Sequence, residues 1–286
     1  MICHSRAAGI HQLNGEGAFG SLRVDADGFQ CVHLLVTLTP FITCCMMQSG
    51  ERGCHLLPRV VIHNAVSADG RIDWFEADVG VLYDLAGRWH EECTLVGSGT
   101  VLAAPESAAR DKGPWEPQVA LPTDTRPLLA IVDSRGRVRC WKTWLAMPYW
   151  RGGVAICSDS TPDEYLQYLA EAGVDCIVAG REKVDMTAAL EDLNARYGIQ
   201  TVRVDSGGIL NGVLLRAGLV DEVSILVHPA LVGGTSQRSL FRAPDLASLE
   251  GVIPLTLVSA ETIGEGLVWL RYKVAGRRKK KVPRQT

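Results

Sequence analysis

Residues 204–215 read VDSGGILNGVLL, and they set a β-branched strand (199–204) directly against an apolar helix (210–217), with an acid and two adjacent glycines at the junction. Strand-to-helix junctions of this form belong to α/β folds, where backbone amides at a helix N-terminus favour an anionic ligand. A tight turn would need glycine there as well, so the junction reads either as structure or as a binding site.

Working outward, the same alternation repeats. Upstream, DMTAALEDLNARYG puts Met186, Ala189, Leu190, Leu193 and Tyr197 on one helical face before a terminating glycine. VDCIVAG is a strand. TPDEYLQYLAEAG is a helix in which the pattern predicts Thr161 as N-cap, Pro162 at the first helical position, Glu164 closing a capping box and Gly173 as the stop. GGVAICS, LLAIVD, CTLVG and RVVIHNAV are further strands, and residues 79–89 form a helix. Downstream, DEVSILVHP alternates Val223, Ile225 and Val227, and LVWLRYKV is the last strand. The order predicts a three-layer α/β/α domain over residues 58–275, with a mostly parallel mixed sheet and antiparallel C-terminal strands.

Composition agrees with that class. The 286 residues are 47% hydrophobic and 21% charged, and the net charge of −3 offers no general field for nucleic acid. Basic residues concentrate in the tail GRRKKKVPRQT (276–286), read as solvated and disordered. Residues 1–57 show no sustained periodicity and are expected to lie outside the fold, as an unstructured or non-native extension with Met46 or Met47 as a natural start. Their Cys3, His4, Cys31, His33, Cys44, Cys45, Cys54 and His55 have no paired spacing for a metal site, so no metal is expected. Cys93, Cys157 and Cys176 fall in strand-like runs as small core residues, which fits a reducing cytoplasm. The apolar run VHLLVTLTPFITCCMM contains a proline and is too short to span a bilayer.

Two junctions have the form of an anion cradle: VGSGTVLA, with Gly97, Ser98, Gly99 and Thr100, and DSGGILNG, with Gly207 and Gly208. Neither is a G-x-G-x-x-G fingerprint or a P-loop. Asp69 in SADGR is a turn aspartate, with or without a ligand role. His90 and Glu92 have H-x-E spacing without the C-x-x-C that would complete a deaminase zinc site. WKTWLAMPYW reads as an apolar cover.

In order and spacing, NAVSADGRI, TLVGSGTVLA, AIVDS, VAGREKVDMTAALEDL and VDSGGILNGVLLRAGLVDEVSILVHPALVGG resemble the reductase domain of the riboflavin-biosynthesis deaminase-reductases and its stand-alone archaeal and fungal relatives. The resemblance implies a dihydrofolate-reductase-like fold, NADPH as cofactor, a homodimer, and reduction of the ribosyl group of a pyrimidine ribosylamino 5′-phosphate to ribityl. It further implies that Gly97, Ser98, Gly99, Thr100, Ser134, Gly180, Gly207, Gly208, Ile209, Leu210 and Asn211 meet the cofactor. Asp69, Arg88 and Asp205 would meet substrate, Arg88 through its phosphate; no general acid is named. Asp205 stands where the family usually has glutamate. Ala104 replaces a family acid, with Arg110 or Lys112 as stand-ins for a distal arginine. That departure leaves room for a reductase of another substrate such as a pterin, or for a non-catalytic nucleotide-binding protein.

Overall fold

The strand β1 (Arg59–Ser67) is buried along its whole length after Arg59, so both its faces are covered. That is why RVVIHNAVS reads as a continuous apolar run without alternation. Around it the computed structural model, which describes residues 57–105, 123–235 and 238–275, builds one nine-stranded sheet in the order β5-β4-β3-β2-β6-β1-β7-β9-β8.

The elements follow in chain order: α1 (Val79–Ala86) and one 3-10 turn, β2 (Cys93–Gly97), α2 (Ser98–Ala103), β3 (Leu128–Val132), α3 (Trp141–Leu145), β4 (Gly152–Cys157), α4 (Asp163–Glu171), β5 (Asp175–Val178), α5 (Met186–Tyr197), β6 (Thr201–Val204), α6 (Gly208–Arg216), β7 (Glu222–His228), β8 (Leu255–Ile263) and β9 (Leu267–Val274). Strands β1 to β7 pair in parallel, whereas β9 pairs antiparallel with both β7 and β8. Both the layering and the strand polarity are those expected from the sequence.

Residues of α5 and α6 pack on one face of the sheet against Val60, Ile62, Leu95, Val202 and Val204. On the other face, Trp141 and Trp144 of α3 and Tyr165 and Leu169 of α4 cover β3 and β4, while Leu82 and Ala86 of α1 cover β1. Trp141 and Trp144 have no exposed surface, and each contributes on the order of 1.5–3 kcal/mol of burial. WKTWLAMPYW is thus an apolar cover. Cys93 and Cys157 are buried and Cys176 half-buried among these layers, and burial pushes the Cys93 thiol up to about 12.

Several local readings change. Helix α4 begins at Asp163 with no side-chain cap: the Thr161 hydroxyl instead accepts from Ser158 N (3.0 Å) and donates to Ser134 O (3.0 Å). Glu164 does not close a capping box but pairs with Arg139. Tertiary bonds between the β3 and β4 loops outcompete the local cap. Strand β6 begins at Thr201 and helix α6 at Gly208, not at 199 and 210. In β7, of the alternating Val223, Ile225 and Val227 only Val223 is fully buried, whereas Ser224, Leu226 and His228 on the opposite face all are. Strand β8 went unread, since its residues are exposed on both faces and carry no periodic signal. Residues 1–56, Arg110, Lys112 and the 276–286 tail, for which the sequence carries expectations, lie outside the described residues.

Candidate active site

Strand order reverses between β2 and β1, where β6 inserts, and ligands in open α/β sheets bind beyond the carboxyl ends of strands at such a reversal. A cavity of about 1060 Å³ lies there, walled by the ends of β1 (Asn64, Ala65), β2, β3 and β6 and by the starts of α2 and α6. Among the described residues no group of acids, histidines and cysteines could hold a metal.

The two glycine junctions meet in this cavity and are stitched together by hydroxyls. Gly97 N donates to Ser206 Oγ (3.0 Å), Ser206 Oγ lies 3.3 Å from Thr100 Oγ1, and Gly207 N donates to Thr100 Oγ1 (3.2 Å). These two amides, read from sequence as anion donors, are therefore occupied by the scaffold. The N-terminus of α6 has no side-chain cap, and Gly208, Ile209 and Leu210 line the cavity there. Ser98 and Gly99 line it from α2.

Glycine at 208 has a further cause. A Cβ there would stand 2.1 Å from Ser239 O, and one at Gly212 would stand 1.8 Å from Arg242 O. A strap, residues 238–242, lies across these two glycines, with Arg242 N donating to Gly208 O (2.9 Å). Asn211 is part of that seam rather than of the cavity wall: its Nδ2 donates to Leu240 O (3.0 Å) and to Asn64 Oδ1 (3.1 Å).

The loops after β3 and β5 bring cations to the cavity. After β3, the buried Asp133 carboxylate accepts from Arg137 N (2.6 Å) and Val138 N (2.8 Å), folding a loop that brings Ser134, Arg135 and Arg137 to the cavity. Arg137 Nη2 donates to Ser98 Oγ (2.9 Å). Lys183 lines the cavity from the loop after β5. Gly180 shapes that loop at φ +86°, and a Cβ would meet Lys183 O at 2.4 Å; it does not itself line the cavity.

Of the three expected substrate residues, only Asp205 reaches the cavity. It is 3% exposed, and its Oδ2 accepts from Tyr83 Oη (2.7 Å) and Arg203 Nη1 (3.3 Å). Asp69 is a clamp between loops. Its carboxylate accepts from Ser67 Oγ (2.6 Å), Val232 N (3.1 Å) and Gly233 N (2.7 Å), and these bonds hold it well below the usual carboxylate range. Arg88 lies outside the lining residues, exposed, with its guanidinium stacked 4.8 Å from the centroid of the Trp269 ring. Glu92 accepts from Gln200 N and Thr201 N and so orders the start of β6, which accounts for the acid of the H-x-E spacing.

The sequence reading missed Asn64, Tyr83, Arg135, Arg137, Arg203 and Ser206. Arg135 and Arg137 had a legible signal, two arginines flanking a glycine directly after a strand and its aspartate. Arg203 had a fainter one, a cation inside a β-branched strand.

The RibD C-terminal domain family pattern matches residues 58–269. The 2,5-diamino-6-ribosylamino-4(3H)-pyrimidinone 5′-phosphate reductase of Methanothermobacter thermautotrophicus is 31% identical over 232 residues, covering 77% of this chain and 99% of that one. The Archaeoglobus fulgidus protein of the same name is 30% identical over 220 residues, 73% of this chain and 95% of its own. Among solved structures, the Saccharomyces riboflavin biosynthesis reductase Rib7 superposes with a TM-score of 0.55 at 19% identity, over 79% of this chain and 93% of that one. Acinetobacter baumannii RibD does so with 0.56 at 21% identity; there the match covers 76% of this chain but 58% of the longer RibD chain. These two likenesses speak to the fold.

Proposed function

The chain belongs to the RibD C-terminal domain family, and from that membership we propose that it is an NADPH-dependent reductase of a pyrimidine ribosylamino 5′-phosphate in riboflavin biosynthesis. The catalytic unit is residues 58–275, cytoplasmic, and assembled as a homodimer through the exposed β8 edge. When bound, NADPH supplies the hydride that converts C1′ of the ribosyl group to the ribityl level.

The observation that carries this reading is the polarity of the cavity. The cavity is lined by the uncapped start of α6 and the arginines of the β3 loop, and also by a buried carboxylate, Asp205, at the end of β6. The first set suits the phosphates of a dinucleotide, with Ser134, Arg135 and Arg137 at its 2′-phosphate. The second suits the hydroxyls of a sugar. Asp205 accepts a hydrogen bond, the apolar Ile72 and Leu82 exclude water, and the strap with Arg242 covers α6. Nothing in the cavity favours a pterin reductase or a non-catalytic nucleotide binder over this reading.

Single-turnover oxidation of NADPH with the phosphoribosylamino-pyrimidine is the direct test, and absence of turnover refutes the reading. Arg135→Ala combined with Arg137→Ala should weaken NADPH by about tenfold or more, since a hydrogen bond to a charged group is worth about 1.5–3 kcal/mol. NADH, which lacks the 2′-phosphate, should bind wild type and variant alike; equal losses for both cofactors would move the 2′-phosphate elsewhere.

A further inference from the structure

We propose that Tyr83 and Arg203 are positioning residues for Asp205, fixing its carboxylate, ionised and in one orientation, at the cavity wall. The proposal deepens the reading above and rests on it for the substrate.

Arg203 and Asp205 are two residues apart on and just beyond β6, so both project to the face covered by α1. An apolar cluster surrounds them there, Val61 and Ala65 from β1, Leu82 and Ala86 from α1, Trp89 and Trp269, with buried polar groups such as His63 and Thr94 among it. A charge there is costly unless paired. Arg203 is 4% exposed, and its fork is filled on three sides. Nε donates to Glu91 Oε1 (2.6 Å), Nη2 to Thr94 Oγ1 (3.2 Å) and Nη1 to Asp205 Oδ2 (3.3 Å), while the Tyr83 ring lies 5.4 Å from its carbon centre. Tyr83, from α1, closes the arrangement by donating to the same Asp205 oxygen at 2.7 Å.

Two donors from two different elements thus converge on one oxygen of a carboxylate that lines the cavity. A planar guanidinium gripped by Glu91 and Thr94 cannot swing, and the tyrosine hydroxyl sets the rotation that one bond alone would leave open. Among the described residues, the titratable groups facing Asp205 include Arg203 on β6, with Glu91 behind it, Tyr83 on α1, and His63 on β1, which is buried and neutral at physiological pH.

The test is a double-mutant cycle on the full chain. Tyr83→Phe removes only a hydroxyl. It should raise KM for the phosphoribosylamino-pyrimidine by about tenfold while changing the NADPH dissociation constant by less than about twofold. In an Asp205→Asn background the same change should have no further effect on KM, because the carboxylate charge that it orients is gone. An effect of Tyr83→Phe that persists undiminished in Asp205→Asn, or no effect in wild type, overturns the proposal.

A readout free of substrate accompanies it. The Asp205 carboxyl, followed by ¹³C NMR, should titrate at higher pH in Tyr83→Phe, since a bond to the charged form has been lost. An unchanged midpoint overturns the proposal even if the chain turns over another substrate. If wild type shows no NADPH oxidation with the pyrimidine but the titration shifts, the functional reading fails and the positioning role stands. Arg203→Lys keeps the charge but not the fork and should show a smaller KM rise than Arg203→Met; should Arg203→Met not fold, the tyrosine cycle decides.

Discussion

His63 shows how one buried side chain records its surroundings. It is 1% exposed, and its Nε2 lies 2.7 Å from Leu82 O, a pure acceptor, so Nε2 carries the proton. Nδ1, 2.9 Å from Ser224 Oγ, must then accept from that hydroxyl, which itself accepts from Trp269 Nε1 at 2.8 Å. A second proton on the ring would leave the serine between two donors. Burial, opposed in part by the bond to Leu82 O, lowers the imidazole from 6.5 to about 4. The unfolded chain therefore binds a proton that the folded one refuses, and stability present above pH 6.5 is lost as the pH falls toward 4. The loss totals on the order of 3 kcal/mol, with a slope of up to about 1.4 kcal/mol per pH unit. Urea unfolding across that window should show the slope in wild type and a flatter profile in His63→Gln; identical slopes would place the titration on other groups.

At the scale of elements, the start of α6 separates glycines kept for packing from glycines that leave space for a ligand. Gly208 and Gly212 lie one turn apart beneath the strap, and a methyl on either collides with backbone. Gly212→Ala should cost about 1–3 kcal/mol of stability, read as a lowered urea midpoint, and should loosen the strap's covering of α6. Gly208→Val belongs with it: its first effect is on the strap, so loss of cofactor affinity alone does not identify the site. Gly99 in α2 has nothing within 4 Å of its missing Cβ and lines the cavity, so Gly99→Ala should leave stability unchanged or raise it by about 0.5–1 kcal/mol. An equal loss of stability in Gly99→Ala and Gly212→Ala would contradict this division.

Over the whole molecule, the sheet closes poorly at one side. Strand β8 is the outer edge, and Leu255, Leu257 and Val258 are 45%, 56% and 43% exposed on it. A nine-residue edge strand with leucine and valine exposed at one end is a template for another chain, and natural proteins cover such edges or charge them. A second copy of this chain is the proposed cover. Light scattering should give a dimer mass for the wild type, and Leu257→Lys should shift it toward monomer with little change in the circular dichroism spectrum. A monomeric wild type at micromolar concentration would refute this interface.

The alternation of β-branched runs with helices of 3.6-residue period was enough to fix the α/β class, the strand polarity and the location of both glycine junctions, because those follow from short-range geometry and from which faces must be buried. Met186, Ala189, Leu190 and Leu193 were legible as core for the same reason. What the junctions contain was decided only in three dimensions. Ser206 and Thr100 are over a hundred residues apart, yet they take up one amide of each glycine turn, Gly97 N and Gly207 N. Arg88 and Arg203 are both cations in plausible places along the chain; packing sends one onto the Trp269 ring and the other to Asp205. A local pattern specifies what a backbone can do, whereas the partner of a polar group depends on which distant strand the sheet brings beside it.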